Sequence, residues 1–249
     1  MRGNDKKKSL SHEEFIHLID VIESSTSIGE LLMSTARELG VKHSLYQHFA
    51  AVGALDFTSR GKFHPYEIPE ELIEFYETHN AYDSDPIIVA SFAKSKFIWL
   101  SDTIYEPQVI DAGHVDIVRW ALEKVGDGLC CPLYGPDNRR GYAFAGFRRS
   151  KTDFDAVFPY QIQTFLQAMH VRYCLLLRGL QRQVKLTKRE AQVLELISFG
   201  KTNPDIALIL GISPRTVAVH VSKVFLKLGT RDRVSAAMRA QTLEISMSS

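Results

Sequence analysis

The sequence predicts an α+β protein in two parts. The first is an N-terminal α-β-α sandwich with a central antiparallel sheet, and the second a C-terminal all-α helix-turn-helix bundle. Three observations predict this. Short strand-like segments occupy the middle of the first part, with helical periodicity before and after them, which suits a sheet covered by helices. The last quarter is punctuated by helix caps, prolines in first turns and glycines at helix ends. Charge is also divided. From Lys185 onward 10 Lys/Arg oppose 5 Asp/Glu, a net +5, whereas residues 1–184 hold 20 against 24, a net −4.

The elements follow in order. Ser11-His-Glu-Glu14 is a capping box ahead of Phe15, Leu18, Ile19 and Ile22, which recur at helical spacing. A second helix is expected from Ile28 to Leu39, stopped by Gly40. Residues 43–57 are rich in aromatic and small apolar types and read as strands. Pro69 opens a helix through Tyr76. Asp85-Pro86 punctuates the chain before Ile87–Phe92. Lys96–Leu100 reads as a short strand and Asp116–Lys124 as a helix. Leu129–Tyr134, a polar turn over 135–141 and Tyr142–Arg148 form a hairpin signal. Pro159–Leu180 reads as a long helix carrying Ile162, Phe165, Leu166, Met169, Tyr173 and Leu176 or Leu177 on one side. Gln181–Lys185 is polar and reads as a linker.

Composition narrows the function classes. With 249 residues, 45% of them hydrophobic, the chain can build two cores. No apolar run approaches the roughly 20 residues of a membrane span. Met1–Lys8 is charged with no apolar stretch behind it, so no signal peptide is expected. Cys130 and Cys131 are adjacent and no C-x-x-C occurs. Buried free thiols in a reducing cytoplasm are the expectation, with no metal or cofactor. G-x-S-x-G, H-E-x-x-H, P-loop and G-x-G-x-x-G patterns are all missing, which argues against an enzyme.

The C-terminal part can be argued residue by residue. Thr187 caps a helix, with Glu190 completing a capping box, and Ala191, Leu194 and Ile197 or Ser198 share a face up to Gly200. Thr202-Asn-Pro-Asp205 opens a second helix, with Ile206, Ala207 and Leu210 inward and Gly211 at the turn. Ser213 caps a third, with Pro214 at its first position. There Val217, Val221, Val224 and Leu228 form one stripe. The opposite face offers Arg215, Ala218, Val219, Ser222, Lys223 and Lys227. Small residues near the helix start let the backbone enter a DNA major groove, and the basic ones reach phosphates.

This segment resembles the LuxR-type helix-turn-helix: Leu186-Thr187, Arg189-Glu190, Gly200-Lys201, Ile206-Ala207, Leu210-Gly211-Ile212-Ser213, Thr216-Val217, His220-Val221 and Lys227-Leu228 carry the likeness. The resemblance implies base-edge contacts from Ala218, Val219 and Ser222. It implies phosphate contacts from Ser213, Arg215, Thr216, Lys223 and Lys227. Ala218 and Val219 cannot hydrogen-bond bases, so a thymine methyl or DNA shape is left to them.

The first part resembles the acyl-homoserine-lactone-binding domain of quorum-sensing regulators, on Tyr76, Asp85-Pro86, Trp99, Gly128, Pro132 and the hairpin Pro132–Gly141. The implied organisation is a tail (1–14), an autoinducer-binding and dimerisation domain (15–180), a linker (181–185) and the DNA-binding domain (186–249). By the same resemblance Asp85 accepts the ligand amide N–H and Tyr76 bonds the acyl carbonyl. Trp99 walls the head group, and Gly128 permits close backbone packing. The family usually has a tryptophan four residues before the tyrosine, donating to the lactone carbonyl; here that position is Leu72. Either Tyr46, Gln47 or Tyr66 replaces the donor, or the ligand is not a standard acyl-homoserine lactone. The implied partners are double-stranded DNA, the autoinducer, a second copy of the chain joined through Pro159–Leu180, and RNA polymerase. The alternative is a solo regulator of the same architecture that answers a non-lactone signal or none.

Overall fold

The computed structural model describes residues 9–49, 62–78, 85–107, 109, 112–136, 138–180, 184–240 and 246–248. It divides into two compact units, with the break at Gly179/Leu180. The strand expectation over residues 50–57 lies outside the described residues, as do 181–183 of the expected linker.

In the first unit, α1 (His12–Ser24) begins at the Ser11/Glu14 capping box, so its first turn takes up the end of the stretch read as a tail. Helix α2 (Ile28–Glu38) is capped by Ser27. The sheet has the order β2-β1-β5-β4-β3, from β1 (His43–Phe49), β2 (Lys62–Tyr66), β3 (Ile98–Trp99), β4 (Gly128–Tyr134) and β5 (Arg140–Gly146), every pair antiparallel. Between them come α3 (Glu70–Thr78), α4 (Pro86–Lys94) and α5 (Ala112–Val125), and after them α6 (Phe158–Leu180).

Strand alternation sends side chains to opposite faces, and the two faces build separate cores. Leu129, Cys131, Leu133, Ala143 and Ala145 pack with Leu18 and Ile22 of α1, Leu31 of α2, and Phe158, Ile162, Phe165 and Met169 of α6. Cys130, Tyr142 and Phe144 pack with Leu72 of α3, Ile87 and Ile88 of α4, and Val118 and Ala121 of α5. The unit is thus the α-β-α sandwich that the periodicities predict. All three cysteines are buried and free. Close approach fixes Gly128: a Cβ there would meet the Ala145 carbonyl oxygen at 2.4 Å.

The face under α6 carries a buried polar cluster. The Tyr46 hydroxyl donates to His170 Nδ1 at 2.8 Å, and Arg139, itself buried, donates to His48 Nε2 at 3.1 Å. Burial, with the Arg139 guanidinium adding to it, lowers the His170 pKa from 6.5 to about 4. Cys174, His48 and His170 could approach a common ion. The guanidinium beside them and the bonds already made to both rings argue against a metal there.

The second unit holds α7 (Lys188–Ser198), α8 (Asn203–Leu210), α9 (Pro214–Leu228) and α10 (Arg233–Ala240). The cap expected at each of the first three starts is present: Thr187 with Glu190, Thr202 with Asp205, and Ser213 to the Thr216 N–H. Gly211 and Gly229 end α8 and α9 in the left-handed region, at φ 63° and 64°. Val217, Val221, Val224 and Leu228 are all buried, as one stripe requires. Two features were not anticipated. Helix α10 adds a fourth helix, started by Asp232 accepting from the Ser235 N–H, and packs Ala236 against Leu186 and Leu194. Lys185, the last residue of the expected linker, begins a short strand (Lys185–Thr187) that pairs in parallel with Ser246–Ser248. Among the described residues no single helix is long and apolar enough to cross a membrane.

Candidate ligand cavity and nucleic-acid interface

Asp85 is set by local chemistry. It caps α4, Oδ1 accepting the Ile87 N–H at 2.8 Å, while Pro86 fills the first helical position, where an N–H would find no partner. Its other oxygen, Oδ2, accepts from the Tyr76 hydroxyl at 2.5 Å, which ties α3 to α4. The carboxyl is 6% exposed. Burial raises its pKa above the usual carboxylate value, against the opposing donation of Tyr76, Ile87 and Ile88 and the nearness of His114.

Beside this pair lies a small cavity of about 50 Å³, walled by Leu72, Tyr76, Ile87, Ile117, Tyr142 and Phe144 among others. Its lining is almost wholly apolar, with the Tyr76 and Tyr142 phenols as the polar points. Asp85 meets it through Tyr76.

The structure thus brings together Asp85, Tyr76 and Leu72. It does not bring Trp99 to them. Trp99 pairs with Leu129 in the sheet and points to the α6 face, its ring 5.5 Å from Phe154. Ile98, one residue earlier, faces the cavity side instead. The physical reason is register, since a shift of one residue in a strand exchanges its two faces. Gly128 is likewise a packing position between β4 and β5, outside the cavity wall. Of the replacement donors considered for Leu72, Tyr46 and Tyr66 lie on the α6 face. Gln47 alternates with them and shares the other face with Leu45. Sequence reasoning missed Tyr142. It is fully buried, hydrogen-bonded to the Cys130 thiol and close enough to Asp85 for their charges to interact. Its place after the glycine of the hairpin was the only signal.

On the second unit, Ser213, Arg215, Thr216, Ala218, Val219, Ser222, Lys223 and Lys227 are all exposed on α9. Ser213 and Thr216 share a hydroxyl contact of 2.8 Å within the cap, and Ser222 donates to the Ala218 carbonyl at 3.1 Å. Lys227 differs from the rest: it donates to the buried Glu190 at 2.6 Å. Burial alone would raise the Glu190 pKa. The Lys227 ammonium and the Thr187 donors outweigh that and hold it below the usual value.

Family models match both units. The "Autoinducer binding domain" model spans residues 24–194, and that of "Bacterial regulatory proteins, luxR family" spans residues 184–240. The chain belongs to the autoinducer-binding luxR family. The quorum-sensing-dependent regulator RpaR of Rhodopseudomonas palustris is 29% identical over 70% of this chain and 71% of its own. The transcriptional activator LuxR of Aliivibrio fischeri is 24% identical over 92% of each chain. Among solved structures, SdiA of Escherichia coli superposes with a TM-score of 0.67 at 19% identity, over 94% of this chain and 98% of its own. That last likeness is one of fold. The chain is a transcriptional regulator of the luxR type with an autoinducer-binding domain and a DNA-binding domain, and the relatives it matches are regulators rather than enzymes.

Proposed function

We propose that this luxR-type regulator binds an N-acyl-homoserine lactone between α3–α5 and the sheet, then binds a two-fold DNA site as a dimer. The observation that carries the ligand reading is the buried Asp85–Tyr76 pair beside an apolar wall. Turning the single Tyr76 O–H from Asp85 to an acyl carbonyl would leave Oδ2 of the carboxylate to accept an amide N–H. Tyr142 is a further donor at the same wall. Trp99 and Gly128 support this core without contact to the ligand. The cavity has room for only a water or two, so an acyl chain would enter by parting α3 and α5 from the sheet and completing the core itself.

The DNA reading rests on the exposed face of α9. Arg215 and Lys223 would meet phosphates with Ser213 and Thr216, while Ala218, Val219 and Ser222 face base edges. Lys227 would have to leave Glu190 to join them. The +5 charge of the second part is modest for one copy, so a dimer built on α6 would place two such helices about one turn of DNA apart. RNA polymerase would then be the partner that reads the bound complex. The domain limits 15–180 and 186–249, with the linker 181–185, belong to this reading.

Leu72 supports a second reading, a solo regulator of the same architecture that answers a non-lactone signal or no ligand, because leucine offers the ring carbonyl no donor. Selection from a random DNA pool tests the first. Full-length protein prepared with mixed acyl-homoserine lactones should enrich two-fold sites, and protein prepared without them should not. Enrichment of single half-sites, or equal enrichment without lactone, contradicts it.

A further inference from the structure

The first unit holds a second cavity, on the sheet face opposite Asp85. It measures about 230 Å³ and lies between α2, α6 and strands β1, β2 and β5. Leu32, Ala36, Leu39, Tyr46, Leu166 and Met169 supply much of its wall. Among the described residues no Lys, Arg, Asp or Glu lines it.

One polar group there is unsatisfied. Thr35 lines the cavity, is 2% exposed, and its hydroxyl has no hydrogen-bond partner among the described residues. A threonine inside a helix ordinarily bonds a carbonyl one turn back, and this one does not. Of the other polar side chains at this wall, which include Ser44 and Tyr66, Tyr46 is engaged by His170 and His64 by Tyr173. A buried hydroxyl without a partner is costly, and an oxygen delivered by a ligand would satisfy it. The cavity also has an edge open to solvent, where Gly29 is exposed and Met33 is 54% exposed.

We propose that this cavity is a second ligand site, taking a neutral, single-chain aliphatic molecule with one oxygen function that hydrogen-bonds Thr35. The class follows from the wall. A carboxylate or ammonium would be buried without a counter-ion, whereas a hydroxyl would not. The size follows from the volume: an apolar cavity of roughly 150 Å³ takes one benzene, so this one has room for about nine heavy atoms. Met33 and Met169 give a wall that adapts to chain length. Leu45, Phe63 and Phe144 wall both cavities, so an occupant of the second bears on the shape of the first.

Calorimetric titration of the full-length protein with 1-octanol tests the proposal. One saturable site is expected. It should persist in Ala121→Leu, which fills the first cavity, and weaken at least tenfold in Ala36→Leu, which fills the second. Gly29→Leu narrows the edge, and a Cβ there meets no atom within 4 Å. It should weaken octanol equally with an unchanged circular dichroism spectrum, and it decides the matter if Ala36→Leu does not fold. No saturable binding, or binding lost in Ala121→Leu and kept in the other two variants, overturns the proposal.

Discussion

At the scale of single residues, Asp85 does two jobs that can be separated. Its cap on α4 is a job asparagine does as well, while the charge that accepts an amide N–H is not one asparagine can supply. Asp85→Asn should therefore keep the fold and lose about tenfold or more in lactone affinity, since hydrogen bonds to charged groups are worth roughly 1.5–3 kcal/mol. Direct binding and thermal melts read the two effects apart. Trp99 should behave in the opposite way. Its ring packs on Phe154, away from the cavity, so Trp99→Phe should lower stability by about 1–3 kcal/mol and leave lactone affinity unchanged. The pairing of Asp85 with Tyr76 was legible because both belong to the ordered set of residues that carries the likeness. The facing of Trp99 was not, because a two-residue strand has no alternation long enough to fix it. His170 adds a pH dependence. Held neutral down to about pH 4 in the fold, it takes up a proton more readily in the unfolded chain, near pH 6.5. Its contribution is intact above about pH 6.5 and is lost as pH falls toward 4, by about 3 kcal/mol in all. Melts across that window should show the decline, and His170→Asn, which keeps an acceptor for Tyr46, should flatten it.

At the scale of elements, the caps made the second unit readable. Each is a local contact between residues three apart, so sequence spacing is enough to find it. Helix α10 escaped because it is eight residues long and buries only Ala236, so no stripe repeats. The contact that joins α7 to α9 also lay beyond the sequence. Glu190 closes the Thr187 capping box and receives Lys227 from 37 residues away. Glu190→Gln keeps the shape and removes the charge, so the second unit should lose about 1–2 kcal/mol by thermal or urea unfolding. The same change frees Lys227. If Lys227 is a phosphate contact, its affinity for random-sequence DNA should rise at low salt.

At the scale of the whole molecule, the sheet separates two chemistries. The face under α6 carries a buried polar cluster and the cavity of about 230 Å³. The other carries a cavity of only about 50 Å³, whose widening would be coupled to ligand entry. A ligand that completes a core stabilises the folded state by mass action, by about 2.7 kcal/mol at a hundredfold excess over Kd. The first unit should thus melt several degrees higher with its lactone than without. The α-β-α sandwich was legible from strand and helix periodicities together. The small volume of the cavity beside Asp85 was not, because it depends on how far α3 and α5 settle onto the sheet. The most direct test of the account is mass spectrometry of the intact protein purified from cells supplied with mixed acyl-homoserine lactones. It predicts one acyl-homoserine lactone bound per chain in the wild type and clearly less in Asp85→Asn. An empty wild-type protein, a bound molecule without an amide, or equal retention by Asp85→Asn would contradict it.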